Sequence, residues 1–206
     1  MKPYRALIFD LGGVIVGLDF AQGYERISQL CGLPAREIPQ RIRATGLVPQ
    51  FECGALGAEE FIHQLTKAFD GKLSREDFVE IWSSIFRPEP LLPESFFDAL
   101  KQRYRLVLLS NTNSLHFEVL EARYPLLRGF DAKVLSYRVG AAKPDARIYQ
   151  AALEAAGCRP EECFFTDDVL LYVEGARAAG IDAELFTDFA NLQAALKQRG
   201  IRWEES

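Results

Sequence analysis

Short apolar runs of five or six residues recur along this chain, and they constrain its fold more than any other feature. Runs of this length, bounded by polar residues or glycines, are typical of strands buried on both faces of a sheet. Segments with helical periodicity lie between them, and strands that alternate with helices predict an α/β fold with a doubly wound, mostly parallel sheet. The strand runs are 4–9 (YRALIF), 104–109 (YRLVLL) and 162–166 (ECFFT), with weaker candidates at 132–136 and 181–186; the helical segments are 94–102, 113–122, 145–156, 169–179 and 188–198.

The stretch between the first two strong strands is too long for a simple connection. It contains about ninety residues, whereas a crossover between parallel strands needs only a dozen or so. Residues 18–90 show helical periodicity without a convincing strand, so we predict a helical domain there, inserted into an α/β core formed by residues 1–17 and 91–206. Glycines and prolines divide the insertion into predicted helices near 20–30, 35–44, 58–69 and 75–86.

Length and composition allow one folded domain, or one domain with a modest insertion, and argue against several other classes. The chain has 206 residues, of which 49% are apolar, and a net charge of −5. This balance argues against a nucleic-acid-binding surface and against disorder. We see no apolar run long enough to span a membrane and no signal peptide, so we expect a soluble, cytoplasmic protein. The four cysteines lack metal-binding spacing and are expected to be reduced thiols.

Polar residues follow the three strong strands directly. Asp10 follows the first, Ser110 and Asn111 the second, and Asp167 and Asp168 the third. Each has an ordinary alternative as a turn residue or a helix cap. Ligands of open α/β sheets bind outside the carboxyl ends of the strands, so we expect these side chains to share one crevice.

Three carboxylates in one crevice repel each other, and a divalent cation removes that conflict. Oxygen ligands suit Mg²⁺, which proteins commonly hold with one or two carboxylates and substrate phosphate oxygens. A phosphate-bearing substrate is therefore expected. Lys143, which could also simply be solvated, would offset phosphate charge, while Ser110, Asn111 and backbone N–H groups at a helix start would bind its oxygens. Gly12 and Gly13 would let the backbone approach the phosphate closely.

Four motifs in this order resemble the haloacid dehalogenase superfamily, which consists mostly of phosphatases. They are FDLGGV (9–14), LLSNTN (108–113), GAAKPDARIY (140–149) and FTDD (165–168). The resemblance covers the whole chain once the insertion is counted as a helical cap over the site, and it implies a Rossmann-like core. The wording of the motifs is most similar to the bacterial glucose-1-phosphate phosphatase-like branch.

The resemblance implies a role for each matching residue. Asp10 would be the nucleophile and form an aspartyl-phosphate, which divides one difficult displacement into two easier ones. Mg²⁺ would be held by the Asp10 carboxylate, the backbone carbonyl of Gly12 and Asp168.

The remaining matched residues would act on the phosphoryl group. Ser110 and Lys143 would bind it during transfer, and Asp167 would be a supporting acid. The function expected from the resemblance is Mg²⁺-dependent hydrolysis of a small phosphorylated metabolite, for which a sugar phosphate is the first candidate.

Two positions depart from the family pattern. The usual DxD motif is Asp10-Leu11-Gly12 here, so the second Asp, which normally protonates the leaving group, is missing. Such acid help is worth about 10²–10⁴-fold, which predicts a slow enzyme, a good leaving group or an acid from elsewhere, with Asp19 as the candidate. Tyr172 stands where many relatives carry Asn or Asp, which puts support of the metal in doubt.

Two other functions remain open at this stage. One is a non-catalytic or weakly active phosphate-binding or regulatory protein, which Gly12 and Tyr172 favour. The other is a metal-independent haloacid dehalogenase, but those relatives replace the acidic pair at 167 and 168 with neutral residues. Within the insertion, Arg41, Arg43, Phe51 and Glu52 could equally face a substrate or pack and solvate. Both His63 and His116 are expected to be packed or surface residues, although His116, one helical turn beyond Thr112, could also lie at the mouth of the site.

Overall fold

A five-stranded parallel sheet forms the centre of the protein, as described by a computed structural model for residues 4–203. Its strands lie in the order β5-β4-β1-β6-β7, and each pair of neighbours is parallel. The predicted doubly wound α/β fold is therefore confirmed. The strands of the described chain are β1 (Ala6–Phe9), β2 (Val16–Leu18), β3 (Phe86–Pro90), β4 (Arg105–Ser110), β5 (Ala132–Leu135), β6 (Cys163–Asp167) and β7 (Asp182–Leu185).

Helices cover both faces of this sheet, and several begin with a side-chain cap. Asn113 caps the helix that follows β4 by accepting a hydrogen bond from the His116 N–H, and Asp145 caps a later one. Within residues 4–203, no helix combines the length and the apolar character needed to cross a bilayer. The helices are α1 (Ala21–Cys31), α2 (Ile38–Ala44), α3 (Leu47–Glu52), α4 (Ala58–Ala68), α5 (Arg75–Ser83), α6 (Glu94–Leu100), α7 (Ser114–Arg123), α8 (Ser136–Val139), α9 (Ala146–Ala156), α10 (Leu170–Ala178) and α11 (Phe189–Gln198).

Strand residues alternate between two hydrophobic clusters. On β1, Leu7 and Phe9 belong to the cluster under α6, α7 and α11, whereas Ala6 and Ile8 belong to the cluster under α9 and α10. This alternation follows from the two-residue repeat of a strand, and both faces are buried because helices lie on each. It explains why the strands are continuous apolar runs in the sequence.

The expectation that residues 18–90 contain no strand is wrong. β3 (Phe86–Pro90) pairs antiparallel with β2 (Val16–Leu18), and the two form a ribbon where the chain leaves and re-enters the core. The predicted helix at 75–86 ends at Ser83 instead. Pro88 and Pro90 made a strand unconvincing, but an edge strand tolerates proline, because the missing N–H can lie on the side that faces solvent instead of the partner strand.

A short helix, α3, was also missed. Gly46 and Pro49 look like helix breakers, yet Pro49 occupies the third position of α3 (Leu47–Glu52). In the first turn of a helix the backbone N–H groups have no helical partner, so proline costs little there.

The helices between β2 and β3 pack around a third hydrophobic cluster. At its centre, Phe61 stacks on Phe51 with ring centroids 4.2 Å apart, and Phe78 and Trp82 meet the Phe61 ring edge-on. We call residues 18–90 the cap; the presence of a separate core supports this division, whose boundaries stay a prediction.

His116, on α7 of the core, contacts the cap directly. Its ring stacks on Trp82 of α5, with centroids 5.1 Å apart, and its Nε2–H donates to the Trp82 carbonyl at 2.8 Å. A carbonyl only accepts, so Nδ1 must be the unprotonated nitrogen, and it accepts from the Asn113 side-chain amide at 3.1 Å. The neutral ring therefore links cap and core.

We predict that protonation of His116 makes the protein less stable in mild acid. Burial lowers the His116 pKa from 6.5 to about 4, and the hydrogen bond to Trp82 opposes this only in part. The unfolded chain therefore binds the proton first, so this contribution is complete above about pH 6.5 and is lost as the pH falls toward about 4. Urea unfolding should show about 1–2 kcal/mol less stability at about pH 5 than at about pH 7 from this group.

The matched control is His116→Gln, which keeps a donor and an acceptor but does not titrate. The difference between wild type and this variant isolates His116 from the carboxylates that titrate in the same range. An unchanged pH dependence in His116→Gln would contradict the prediction.

Candidate active site

The carboxyl ends of β1, β4 and β6 meet at the centre of the sheet, where these three strands are neighbours. Lys143, from the loop between α8 and α9, reaches this point with its ammonium 2.5 Å from Asp10 Oδ1 and 2.5 Å from Asp167 Oδ2. All three side chains are nearly excluded from solvent. The structure thus brings together Asp10, Lys143 and Asp167, which the sequence placed at separate strand and loop ends.

Lys143 is held from several sides. The side chain of Asn111 accepts from the Lys143 backbone N–H at 2.8 Å and donates to the Lys143 carbonyl at 3.0 Å. The ammonium also donates to the Leu109 carbonyl at 3.3 Å and lies 5.1 Å from the centre of the Tyr172 ring. Asn111 was predicted to bind phosphate, but its side chain is occupied by this bracing role, which leaves its backbone N–H for a ligand.

Tyr172, whose support of a metal the sequence put in doubt, lies beside Lys143. Its ring faces the Lys143 ammonium, an arrangement in which the aromatic face attracts the cation. Tyr172 therefore supports the lysine, and its backbone carbonyl accepts a hydrogen bond from Tyr149 at 2.7 Å.

Asp167 has both carboxylate oxygens in use. Oδ2 faces Lys143, and Oδ1 accepts the backbone N–H of Val169 at 2.9 Å. The side chain is fully buried. This arrangement suits a group that fixes the lysine and the loop after β6 better than one that meets a substrate.

Asp168 lies against the loop that follows Asp10. Gly13 has a φ of +84°, and a Cβ at this position would overlap the Asp168 carboxylate. Only glycine satisfies both conditions, because other residues rarely adopt this backbone conformation and carry the atom that would collide. The close approach of Gly13 thus sets where Asp168 sits beside Asp10.

The site carries more negative than positive charge. Asp10, Asp167 and Asp168 each place a carboxylate oxygen within 4.8 Å of the others, and Lys143 brings one ammonium to Asp10 and Asp167. Burial raises the pKa of Asp10 to about 7, and repulsion by Asp167 adds to this while Lys143 opposes it. The pKa of Asp168 is also raised, first by burial and then by Asp167.

The pKa of Lys143 responds to the same neighbours. Burial alone would lower the pKa of Lys143, but Asp10 and Asp167 outweigh burial and raise it, so the ammonium stays charged. A cluster of carboxylate oxygens with unbalanced negative charge fits a hard divalent cation such as Mg²⁺.

A cavity of about 140 Å³ lies between this edge of the sheet and the cap. Gly12, Ser110 and Asn111 line it from the core, and Glu52 lines it from the cap. Ser110 is buried at the end of β4, where its hydroxyl makes only a long 3.5 Å contact to the neighbouring carbonyl. The other lining residues are Leu11, Leu18, Phe20, Ile85, Phe86, Thr112, His116 and Leu120.

Asp19, the sequence candidate for a replacement acid, does not line this cavity. It is exposed, accepts the backbone N–H of Ala21 at 3.1 Å and lies 3.9 Å from Arg87. The contact to Ala21, the first residue of α1, is a local one at the start of that helix.

Comparison with known proteins agrees with this geometry. A family model described as haloacid dehalogenase-like hydrolase matches residues 4–180. A phosphatase of Mycobacterium tuberculosis, MT3486, is 30% identical over 186 residues, which cover 87% of this chain and 86% of that protein. D-ribitol-5-phosphate phosphatase of Bacteroides thetaiotaomicron is 29% identical over 170 residues, with 80% and 82% covered.

A solved structure is similar over nearly its whole length. It is an enzyme of the same family from Bacteroides thetaiotaomicron, in complex with magnesium and inorganic phosphate. The TM-score is 0.79 at 27% identity, and the match covers 92% of this chain and 98% of that one.

We predict that Gly13→Ala disturbs Asp168, whereas Gly32→Ala does not. Both glycines have positive φ, but a Cβ on Gly32 would meet nothing within 4 Å. Both variants should lose roughly 1 kcal/mol of stability through backbone strain. Only Gly13→Ala should also weaken Mg²⁺ binding, by about 10–100-fold, because the added methyl group would push the Asp168 carboxylate out of its position. Calorimetric titration with Mg²⁺ measures this, and equal affinity in the two variants would contradict it.

Proposed function

Because the chain belongs to the haloacid dehalogenase-like hydrolase family, we propose that it is a Mg²⁺-dependent phosphatase acting on a small phosphorylated metabolite. The observation that carries this proposal is the buried Lys143 ammonium, 2.5 Å from both Asp10 and Asp167, beside the carboxylate of Asp168. One ammonium holds the candidate nucleophile Asp10, which directly precedes the cavity-lining residues Leu11 and Gly12, and the nearby Asp168 carboxylate is available as a metal ligand.

Asp10 is the nucleophile in this proposal. Its Oδ2, the oxygen that Lys143 does not hold, attacks phosphorus, and the ester oxygen of the substrate leaves. Water then hydrolyses the aspartyl-phosphate and releases inorganic phosphate. Lys143 faces the Asp10 carboxylate at 2.5 Å and offsets negative charge that would otherwise repel the incoming phosphate.

The other core residues position the phosphoryl group. The Ser110 hydroxyl and the backbone N–H of Asn111 lie at the cavity wall, where they donate to phosphate oxygens. Asp167 keeps Lys143 in place and charged. Asp10, the Gly12 carbonyl and Asp168 would hold Mg²⁺, which supplies charge neutralisation for the phosphate when bound.

A sugar phosphate is the substrate class we propose. A relative that matches four fifths of this chain is named for hydrolysis of D-ribitol 5-phosphate, which supports a polyol or sugar ester. The cavity of about 140 Å³ suits a small leaving group. A closer relationship to glucose-1-phosphate phosphatase-like enzymes stays a prediction from the motif wording.

The dehalogenase alternative is disfavoured by the acidic pair. A dehalogenase needs no cation, whereas Asp10, Asp167 and Asp168 together place unbalanced negative charge in the site. The alternative of a non-catalytic phosphate-binding protein has one observation in its favour, the absence of a carboxylate at Gly12, and the experiment below separates it from an enzyme.

We predict Mg²⁺-dependent hydrolysis of p-nitrophenyl phosphate that requires Asp10. The Asp10→Asn variant keeps the shape of the side chain but is a poor nucleophile, so turnover should fall by on the order of 10³-fold or more. A chelator should abolish wild-type turnover, and added Mg²⁺ should restore it. Colorimetric release of nitrophenolate is the measurement.

The control for this assay is Asp98→Asn, which changes an exposed carboxylate on α6 that pairs with Lys101 on the surface. Equal rates for wild type and Asp10→Asn would overturn the phosphatase proposal. Tight phosphate binding without turnover would favour the phosphate-binding protein, and chloride release from 2-chloropropionate with chelator present would favour the dehalogenase.

A further inference from the structure

We propose that Glu52, at the end of cap helix α3, is the acid that protonates the leaving group. This inference rests on the proposed phosphatase function and deepens it. It assigns to the cap a step that the core cannot perform, because the core motif has Gly12 in place of a second carboxylate.

The wall of the cavity beside Gly12 is apolar. A Cβ built on Gly12 would lie 3.2 Å from the Leu18 side chain, so Leu18 fills the space next to this glycine. Leu11, Ile85 and Phe86 add further apolar surface to the cavity lining. A leaving alkoxide in this cavity would therefore find no proton donor on the Gly12 side.

Among the residues that line the cavity, Glu52 and His116 are the ones that carry a carboxyl or an imidazole group. His116 has no proton to give, because its Nε2–H is donated to Trp82 and its Nδ1 accepts from Asn113. Glu52 is thus the one lining side chain that can deliver a proton to a departing oxygen.

The Glu52 carboxyl is free for this task. Within the described residues 4–203 no hydrogen bond or ion pair engages it, and burial alone raises its pKa to about 7. A general acid works best when its pKa lies close to the working pH. An unpaired, half-buried carboxyl would be a cost to stability without such a use.

The position of Glu52 is fixed by a tight contact between cap and core. Two residues after it, Gly54 has a φ of +69°, and a Cβ there would overlap the Tyr137 carbonyl of core helix α8. On the other side of α3, Leu47 and Phe51 are buried in the cap cluster. α3 is therefore held from both sides, with Glu52 directed at the cavity.

The proton balance of the reaction is complete with this assignment. As Asp10 forms its bond to phosphorus, the bond from phosphorus to the ester oxygen breaks, and protonated Glu52 gives its proton to that oxygen to form the alcohol. The resulting Glu52 carboxylate then takes a proton from the water that attacks the aspartyl-phosphate, so the acid is regenerated.

The test compares two substrates of nearly the same shape, phenyl phosphate and p-nitrophenyl phosphate, in the full chain with Mg²⁺. Nitrophenolate is stable without a proton, whereas phenolate is a poorer leaving group. Glu52→Gln should lower turnover of phenyl phosphate by about 10²-fold and change turnover of p-nitrophenyl phosphate by less than about 3-fold. Retained turnover of p-nitrophenyl phosphate also shows that the variant is folded.

Two matched variants serve as controls. Glu25→Gln changes an exposed carboxyl on cap helix α1 and should leave both rates unchanged. Asp19→Asn tests the other carboxyl near the cap boundary and should not discriminate between the substrates.

Several results would overturn the inference. An equal loss with both substrates, or no loss, would mean that Glu52 is structural or idle. A loss confined to sugar phosphates, with both phenyl esters spared, would mean that Glu52 binds the sugar. Selective loss in Asp19→Asn would move the role there. If Asp10→Asn matches wild type on p-nitrophenyl phosphate, the proposed function itself fails, and the inference fails with it.

Discussion

The site depends on one buried interaction, the pairing of the Lys143 ammonium with Asp10 and Asp167. Charges removed from water are costly unless they are paired, and losing one partner leaves the others uncompensated. The sheet meets this requirement by geometry, since Phe9 of β1 pairs with Thr166 of β6, which brings the residues that follow them, Asp10 and Asp167, level. The loop that carries Lys143 is braced from β4 through Asn111. The Asp10 carboxylate, the Lys143 ammonium and the order of the strands therefore form one unit.

Much of this arrangement could be predicted because it is local or periodic. Continuous apolar runs identify strands buried on both faces, and the polar residues after them must meet where parallel strands end. The exceptions were segments in which local chemistry misleads, such as β3 with two prolines and α3 with Pro49 in its first turn. The prolines are tolerated because of their positions, in an edge strand and in the first turn of a helix. A short sequence pattern does not reveal these positions.

Contacts between segments that are distant in the sequence also limited what could be predicted. Asn111 was expected at the phosphate, but its amide is used by the backbone of Lys143, 32 residues away in the sequence. Asp19 was the natural candidate acid because it follows the first motif closely, whereas the structure directs Glu52 to the cavity through α3. Nearness in the sequence favoured Asp19, whereas the contact between the cap and Tyr137 favours Glu52.

The ribbon of β2 and β3 has a consequence for how such a chain can change. Leu18 and Phe86 are paired, so the two ends of the intervening segment leave the core side by side. The pairing does not require a particular number of residues between these ends, because the entropic cost of closing a loop rises only slowly with its length. The segment can thus be exchanged for another without altering the path of the core chain. If Glu52 acts as inferred, the group that delivers the proton would be exchanged together with this segment.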